Sequence, residues 1–247
     1  LLIRLNRLGF KMMGDMNWHN HAGIATTPMR MASDMGIPLV FYGEHGWMDL
    51  GGMHSMHDMV EYTSRYRKDQ LLRGYDWSDM LNDKKEKITE KEMEWCKYPN
   101  DEAINKIGLR GLFIGNYDPW DANEHTKLVK EKYNWKESPV PFERTYRRFS
   151  NLDDMYENGV HDYLKYIKFG YGRGTDHACK DIRSGYMTRE EGIKMVRKYD
   201  HIRSNDTDHW LNYVGMDSNE FIKIADYFRS DKVWIQLDSG EWKKRNL

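Results

Sequence analysis

Residues 169–185, FGYGRGTDHACKDIRSG, bring together side chains that can hold a ligand by charge and by hydrogen bonds. Arginine can bind a phosphate or a carboxylate through two parallel hydrogen bonds, and glycine lets a ligand approach the backbone closely. Aspartate and histidine can orient sugar hydroxyl groups. The candidate ligand-binding residues are Gly172, Arg173, Gly174, Asp176, His177 and Arg183. The alternative is a helix terminus with solvated charges.

The glycine spacing in this stretch does not fit a dinucleotide-binding turn. That turn needs Gly-x-Gly-x-x-Gly between a strand and a helix. Here glycine occupies positions 170, 172 and 174, and the preceding HDYLKYIKF reads as an amphipathic helix. A phosphate- or carboxylate-binding loop beside a helix remains the functional interpretation.

A second group of polar residues lies in GEHGWMDLGGMHSMH, residues 43–57, directly after the strongest strand candidate. Glu44, His45 and Asp49 lead this group, with further histidines at 54 and 57. Histidine and carboxylate together can bind zinc or another divalent ion. The alternative is a glycine-rich loop whose polar groups close a pocket. The position after a strand favours an active-site loop.

A third group, DMNWHNHAG, carries Asp15, His19 and His21. Two histidines two residues apart can share a metal on an extended chain but diverge on a helix. HNH also matches a nuclease signature, but neither the further ligands nor the basic surface of that class is present. In NYDPWD, Asp118 and Asp121 flank Pro-Trp, and Asp121 fits a helix cap.

Composition narrows the functional classes. The 38 basic and 39 acidic residues nearly balance, which argues against nucleic acid as the main partner. No apolar run is long enough to span a membrane, and two cysteines cannot form a disulfide framework, so we expect a cytoplasmic protein. Aromatic residues make up 13% of the chain, which predicts a folded protein with large contact surfaces.

The predicted elements indicate an α/β fold. A helix is expected to end at Gly9, followed by a short strand FKMMG. A second helix should end at Gly36, beginning either at Thr27–Pro28 or earlier with the proline inside. IPLVFYG and LRGLFIGNY read as strands of a parallel sheet, the first buried on both faces. Ligands bind beyond the carboxyl ends of such strands.

The remainder of the chain reads as helical. Capping-box patterns place helix starts at Thr89, Asp121, Thr188 and Asp217. DKKEKITEKE reads as a solvated helix face or a lid. We therefore predict an α/β domain over residues 1–118, with a charged helical insertion near 76–105, and a helical substrate- or partner-binding region over 119–247.

Three segments carry a resemblance to a known family. They are residues 14–46, GDMNWHNHAGIATTPMRMASDMGIPLVFYGEHG, residues 115–121, GNYDPWD, and residues 161–196, HDYLKYIKFGYGRGTDHACKDIRSGYMTREEGIKMV. They resemble the N-acetyl sugar amidotransferases of bacterial surface-polysaccharide synthesis, which act on pseudaminic, legionaminic and related acetamido sugars. The resemblance implies a parallel sheet of the PP-loop ATP pyrophosphatase type followed by a mostly helical C-terminal region.

Two family features are absent from these 247 residues: the Ser-Gly-Gly-Lys-Asp-Ser phosphate loop and a cysteine-rich zinc-binding segment. Both lie near the N-terminus in the family. Together with a start in mid-helix at Leu1, this leads us to expect the last two thirds of a longer protein, with any Zn²⁺ held upstream.

The resemblance implies conversion of a sugar acetamido group to an acetamidino group in lipopolysaccharide, O-antigen or flagellar glycan synthesis. ATP, with Mg²⁺, would adenylate the amide, and ammonia from a partner glutaminase and a cyclase-like subunit would then displace AMP. The sugar would be free or nucleotide-activated.

The resemblance also suggests roles for the candidate residues. Glu44, His45 and Asp49 would face the nucleotide and the reacting amide, with His19 and His21 as further catalytic candidates. Asp15 and Gly43 would contact the nucleotide. The residues of the 172–183 stretch would hold the sugar or its adenylate.

Two other functions remain open at this point. The chain could be a non-catalytic docking or substrate-holding subunit that lacks its own ATP site. It could also be a metal-dependent hydrolase that uses the histidines between residues 19 and 57.

Overall fold

The computed structural model describes residues 1–43, 61–118, 121–150 and 156–245. They belong to two compact units, one of Leu1–Leu8 and Asn17–Trp135, the other of Gly9–Met16 and Lys136–Leu247. The described residues form a mixed α/β structure, mainly helical, with a small parallel sheet. The PP-loop type of fold and the domain boundary after residue 118 stay predictions.

In the first unit, helix α2 spans Trp18–Met35 and carries Pro28 inside it. It ends at Gly36, whose φ of 68° is the left-handed conformation that glycine favours at a helix end. A start at Thr27 is therefore wrong, and the alternative with an internal proline is confirmed. A helix of 18 residues can lose the one backbone hydrogen bond that proline cannot donate.

Strands β1 (Leu39–Tyr42) and β2 (Arg110–Phe113) form a parallel pair in which Leu39 lies opposite Arg110. Both strands and their parallel pairing were predicted. Burial of β1 on both faces is wrong, because Leu39 and Phe41 are 39% and 57% exposed. Only the face of Tyr42 packs into a core, which includes Ala25, Met29, Tyr62, Tyr66 and Phe113.

The remaining elements of this unit are short. A π-helical turn spans Tyr66–Leu71, and 3₁₀ helices span Trp77–Leu81, Lys91–Cys96 and Ile114–Asn116. Helix α3 spans Asp101–Ile107 and α4 spans Ala122–Tyr133. The predicted cap at Asp121 is present, since its carboxylate accepts from the start of α4. Thr89 exchanges hydrogen bonds with Glu92 as the capping box predicts, but the helix that follows is 3₁₀ and has Glu90 as its N-cap.

Helix α1, Leu2–Met13, contributes its last residues to the second unit. The predicted helix end at Gly9 and the predicted strand at residues 10–14 are wrong. Phe10 lies within the helix and packs against Trp210 and Phe221, with ring centroids 5.4 and 5.2 Å away. The left-handed residue that follows α1 is Gly14, at φ 62°.

The rest of the second unit is built from five further helices among the described residues. They are α5 (Asn158–Phe169), α6 (Arg173–Arg183), α7 (Arg189–Tyr199), α8 (Asp206–Val214) and α9 (Ser218–Tyr227). The Thr188–Glu191 capping box and the Asp217 cap are both present. The core lies between α1, α5, α8 and α9 and includes Val160, Leu164, Trp210, Val214 and Phe221.

The unit ends in an antiparallel hairpin that was not predicted. Its strands are β3 (Trp234–Gln236) and β4 (Trp242–Lys244), with Trp234 opposite Lys244 and Gln236 opposite Trp242. Over the described parts of both units, no helix has the length and apolar character needed to cross a bilayer.

Candidate functional site

The glycine-rich stretch enters helix α6, and the Asp200 carboxylate closes the N-terminal end of that helix. Asp200 Oδ2 accepts a hydrogen bond from the Gly172 backbone N–H at 2.9 Å, and Oδ1 accepts one from the Thr175 backbone N–H at 3.0 Å. The Thr175 hydroxyl donates to Oδ2 as well. Asp200 is buried. An internal carboxylate thus occupies the position where a helix N-terminus would bind the anionic group of a ligand.

The glycines of this stretch are required by close packing. Gly170 ends α5 in the left-handed conformation, at φ 75°. A Cβ atom on Gly174 would lie 2.7 Å from Asp200 Oδ1, and one on Gly172 would lie 3.0 Å from Arg144 Nη2. Any larger residue at 174 would displace the capping carboxylate.

Arg144 places a buried guanidinium beside this helix end, since only 2% of the residue is exposed. Its Nη2 donates to the backbone carbonyls of Asp162 and Asp200. Its Nε and Nη1 have no hydrogen-bond acceptor within the described parts of the chain. Burial lowers the pKa of Arg144, while the charges of Asp162 and Asp200 act in the opposite direction.

Two of the predicted ligand-binding residues make ion pairs within the unit. Arg173 Nη2 lies 2.8 Å from Asp162 Oδ1, and its Nε is within 3.2 Å of both carboxylate oxygens. Asp176 pairs with Lys165. To bind a ligand, both residues would have to exchange partners or share them with it.

His177 is buried on the inner side of α6 and is neutral at physiological pH. Burial, followed by the nearby charges of Arg147 and Arg173, lowers its pKa to about 2. Its Nδ1 lies 2.7 Å from the Thr145 hydroxyl, and its Nε2 lies 3.5 Å from the Ser150 hydroxyl. A neutral imidazole can orient a hydroxyl or an amide, but at this pKa it does not supply a proton.

The segment 143–149, ERTYRRF, supplies residues that the sequence interpretation missed. Arg147 forms a buried ion pair with Asp181, and the Tyr146 hydroxyl donates to the same carboxylate. Burial and the bond to Asp181 raise the pKa of Tyr146. The available signal was the density of arginine and tyrosine in a segment with neither helix nor strand pattern.

Arg183 lies apart from the start of α6. It is the last residue of the 11-residue helix and is exposed. At the rise of an α-helix it lies about 15 Å from the first turn. The structure therefore brings together Gly172, Arg173, Gly174, Asp176 and His177 but not Arg183.

The other candidate residues occupy different places. Asp15 is buried in the second unit, with Oδ2 at 3.4 Å from His161 Nδ1. His19 and His21 both lie on α2 in the first unit, at the spacing at which histidine side chains diverge. Gly43 is exposed at the end of β1. Glu44, His45 and Asp49 lie outside the described residues, as do the histidines at 54 and 57.

His19 lines a shallow cavity of about 420 Å³ within the first unit. The cavity is mainly apolar, and its lining residues are Leu1, Leu2, His19, Asn20, Gly23 and Trp95. Within the described parts of the chain, no three or more His, Cys, Asp or Glu side chains are grouped so that they could hold a metal ion.

Residues 143–246 match the model of a family described as LPS biosynthesis protein WbpG-like, C-terminal domain. The match covers less than half of the chain and contains the cluster from Arg144 to Asp200 together with the β3–β4 hairpin. This similarity supports a role in lipopolysaccharide biosynthesis. The search of curated proteins found no significant match.

Proposed function

We propose that this chain is part of an ATP-dependent amidotransferase that converts a sugar acetamido group into an acetamidino group. The observation that carries the proposal is the WbpG-like match over residues 143–246. That segment contains the dense polar cluster at the start of α6, built from the stretch whose residues resemble the sugar amidotransferases.

The proposed reaction replaces one oxygen atom by nitrogen. The amide oxygen attacks the α-phosphorus of ATP, and pyrophosphate leaves. Ammonia then adds to the imidate carbon, the C–O bond breaks, and AMP departs with the former amide oxygen. The product is the protonated amidine, and loss of a proton gives its neutral form. Ammonia would come from a partner glutaminase through a cyclase-like subunit.

In this scheme the second unit holds the sugar. Asp176 and Arg173 would contact its polar groups, and the neutral His177 and its hydroxyl partners would orient hydroxyl or acetamido groups. The glycines at 172 and 174 fix this region against Asp200. These side chains would act by positioning the substrate, which contributes to rate by aligning the reacting groups.

The nucleotide is assigned to the loop that begins at Gly43, with Glu44, His45 and Asp49. Mg²⁺ would offset phosphate charge there. Among the described residues, no three or more His, Cys, Asp or Glu side chains are grouped so that they could hold an ion, and Asp15 lies against His161. We therefore assign no step to a metal ion, and the ATP site remains a proposal for this loop.

The proposal is tested by AMP formation with ATP, an ammonium salt and a nucleotide-activated acetamido sugar. Arg173→Ala and Glu44→Ala should each abolish AMP formation without unfolding the protein. Arg189→Ala is the control, because Arg189 is an exposed arginine at the start of α7. Near-normal turnover in both site variants would refute the site assignment.

The substrate-holding subunit is the second candidate, favoured by the internal ion pairs that stabilise the cluster at α6. It predicts sugar binding by the chain with no AMP formed until a partner supplies the ATP site. Sugar binding and AMP release measured on one preparation separate the two functions.

A further inference from the structure

Two tryptophans of the β3–β4 hairpin have buried indole N–H groups without acceptors. Trp234 is 4% exposed, and neither its Nε1 nor that of Trp242 has a hydrogen-bond partner among the described residues. Both side chains lie on the same face of the hairpin, because Trp234 is opposite Lys244 and Gln236 is opposite Trp242. Buried indole N–H groups normally find an acceptor.

Lys244 adds a cation to the same face. Its Nζ lies 4.7 Å from the ring centroid of Tyr166 and 5.8 Å from that of Trp234. It makes no ion pair within the described parts of the chain. Burial lowers its pKa, while the charge of Asp200 acts in the opposite direction.

Two arginines increase the positive charge around these rings. Arg229 Cζ lies 4.6 Å from the Trp234 ring centroid and 5.1 Å from that of Trp242. Arg144 Cζ lies 6.0 Å from the Tyr166 ring centroid and has two nitrogens without acceptors in the described structure.

Two carboxylates close to these cations are already engaged. Asp226 accepts a hydrogen bond from Arg229 Nε at 2.6 Å, and Asp200 caps helix α6. The face therefore has an excess of donors and positive charge over acceptors. Buried donors without acceptors are unfavourable, and a charge-assisted bond to an anion would relieve this.

We propose that Tyr166, Trp234, Trp242 and Lys244 form a subsite, the hairpin subsite, that binds the oxyanion group of a small acidic molecule. A carboxylate or a phosphate would accept from the two indole N–H groups and from Lys244, with the aromatic rings excluding water. Lys244 and Trp242 are only partly buried, which leaves the subsite open on the hairpin side. The inference goes beyond the proposed function, because such binding requires neither ATP nor ammonia transfer.

The test is titration of the whole chain with sodium phosphate and, separately, with sodium glucuronate at constant ionic strength. Calorimetry gives the affinity, and ¹H–¹⁵N spectra report the indole N–H groups. We expect saturable binding of at least one probe, with the resonances of Trp234 and Trp242 shifting together. Lys244→Met and Trp242→Phe should each weaken binding about tenfold, the effect of losing one charge-assisted or buried hydrogen bond.

Lys243→Met is the matched control, because Lys243 is exposed on the opposite face of the same strand. Binding of phosphate alone identifies a phosphorylated ligand, binding of glucuronate alone identifies a carboxylate, and binding of both establishes a general oxyanion site. Absence of saturable binding for both probes overturns the proposal. So does equal weakening by Lys243→Met. If a variant folds poorly, the wild-type spectra alone still show whether the indole N–H groups of Trp234 and Trp242 respond to the probe. This readout does not depend on amidotransferase activity.

Discussion

Asp200 Oδ2 lies 2.9 Å from the backbone nitrogen of Gly172, so the residue after α7 caps the beginning of α6. This contact joins positions 28 residues apart in the chain. The composition of the glycine-rich stretch predicts a site for the anionic group of a ligand. In the structure, the Asp200 carboxylate of the chain itself binds there. A ligand in this region must be recognised by the side chains around the capped helix end.

The Asp200 cap predicts an intolerance at Gly174. In Gly174→Ala the new methyl group would lie 2.7 Å from Asp200 Oδ1, and overpacking of this kind costs about 1–3 kcal/mol of unfolding free energy. Gly23→Ala is the control, because the nearest atom, on Trp95, is 3.6 Å away and the site is helical. Urea titration checks both variants, and equal stability for the two would contradict the packing argument.

Removal of the capping charge should also destabilise the protein. Asp200→Asn keeps the shape but loses the anion at a helix N-terminus and weakens the bonds to Gly172 and Thr175. We expect a loss of about 1–3 kcal/mol in unfolding free energy. Asp231→Asn, at an exposed position, should change stability little. A loss as large in the control would show that the cap is not responsible.

The buried pair between Arg147 and Asp181 predicts a larger effect. Arg147→Met removes the guanidinium that neutralises the buried Asp181 carboxylate, and breaking such a pair costs about 3–5 kcal/mol. The adjacent Arg148 is partly exposed and lies 3.3 Å from Glu137. Arg148→Met should therefore cost less than about 1 kcal/mol. Chemical denaturation measures the unfolding free energy of both variants. Similar losses in Arg147→Met and Arg148→Met would contradict this prediction.

His177 predicts a dependence of stability on pH. Its pKa in the folded protein is about 2 because of burial and neighbouring cations, whereas the unfolded chain takes up this proton near 6.5. Acid therefore favours unfolding, and the stability that neutral His177 contributes is present above pH 6.5 and declines below it. The limiting slope is about 1.4 kcal/mol per pH unit.

The measurement is the unfolding free energy of the wild type and of His177→Gln between pH 7 and 5. As the pH falls, the unfolding free energy of the wild type should decrease more than that of His177→Gln. A difference that stays constant over this range would show that His177 titrates normally in the folded protein.

Local signals in the sequence predicted local structure well. The Thr188–Glu191 box and the Asp217 cap depend on residues within one turn, and both are present. The strands that contain Leu39 and Arg110 were also predicted from short apolar runs. The helix end predicted at Gly9 was wrong, because the burial of Phe10 against Trp210 outweighs the preference of glycine for helix ends.

Long-range partners could not be read from the chain. The roles of Arg144 and Asp200 depend on the packing of α6 against α7, and no local pattern marks either residue as a partner of Gly172. The β3–β4 hairpin was not predicted because its strands are only three residues long, which is too short to show the alternation that indicates a strand. Of the predicted site residues, those at the start of α6 are placed together, while Arg183 is not.

Incorporation of labelled nitrogen tests the proposed function most directly. The chain, in its longest natural form, is incubated with ATP, ¹⁵N-ammonium and a nucleotide-activated acetamido sugar, and the sugar is analysed by mass spectrometry. The proposed function predicts replacement of the acetamido oxygen by ¹⁵N with one AMP formed for each amidine. ATP-independent change, or an unlabelled sugar despite sugar binding, would contradict the amidotransferase and favour the substrate-holding subunit.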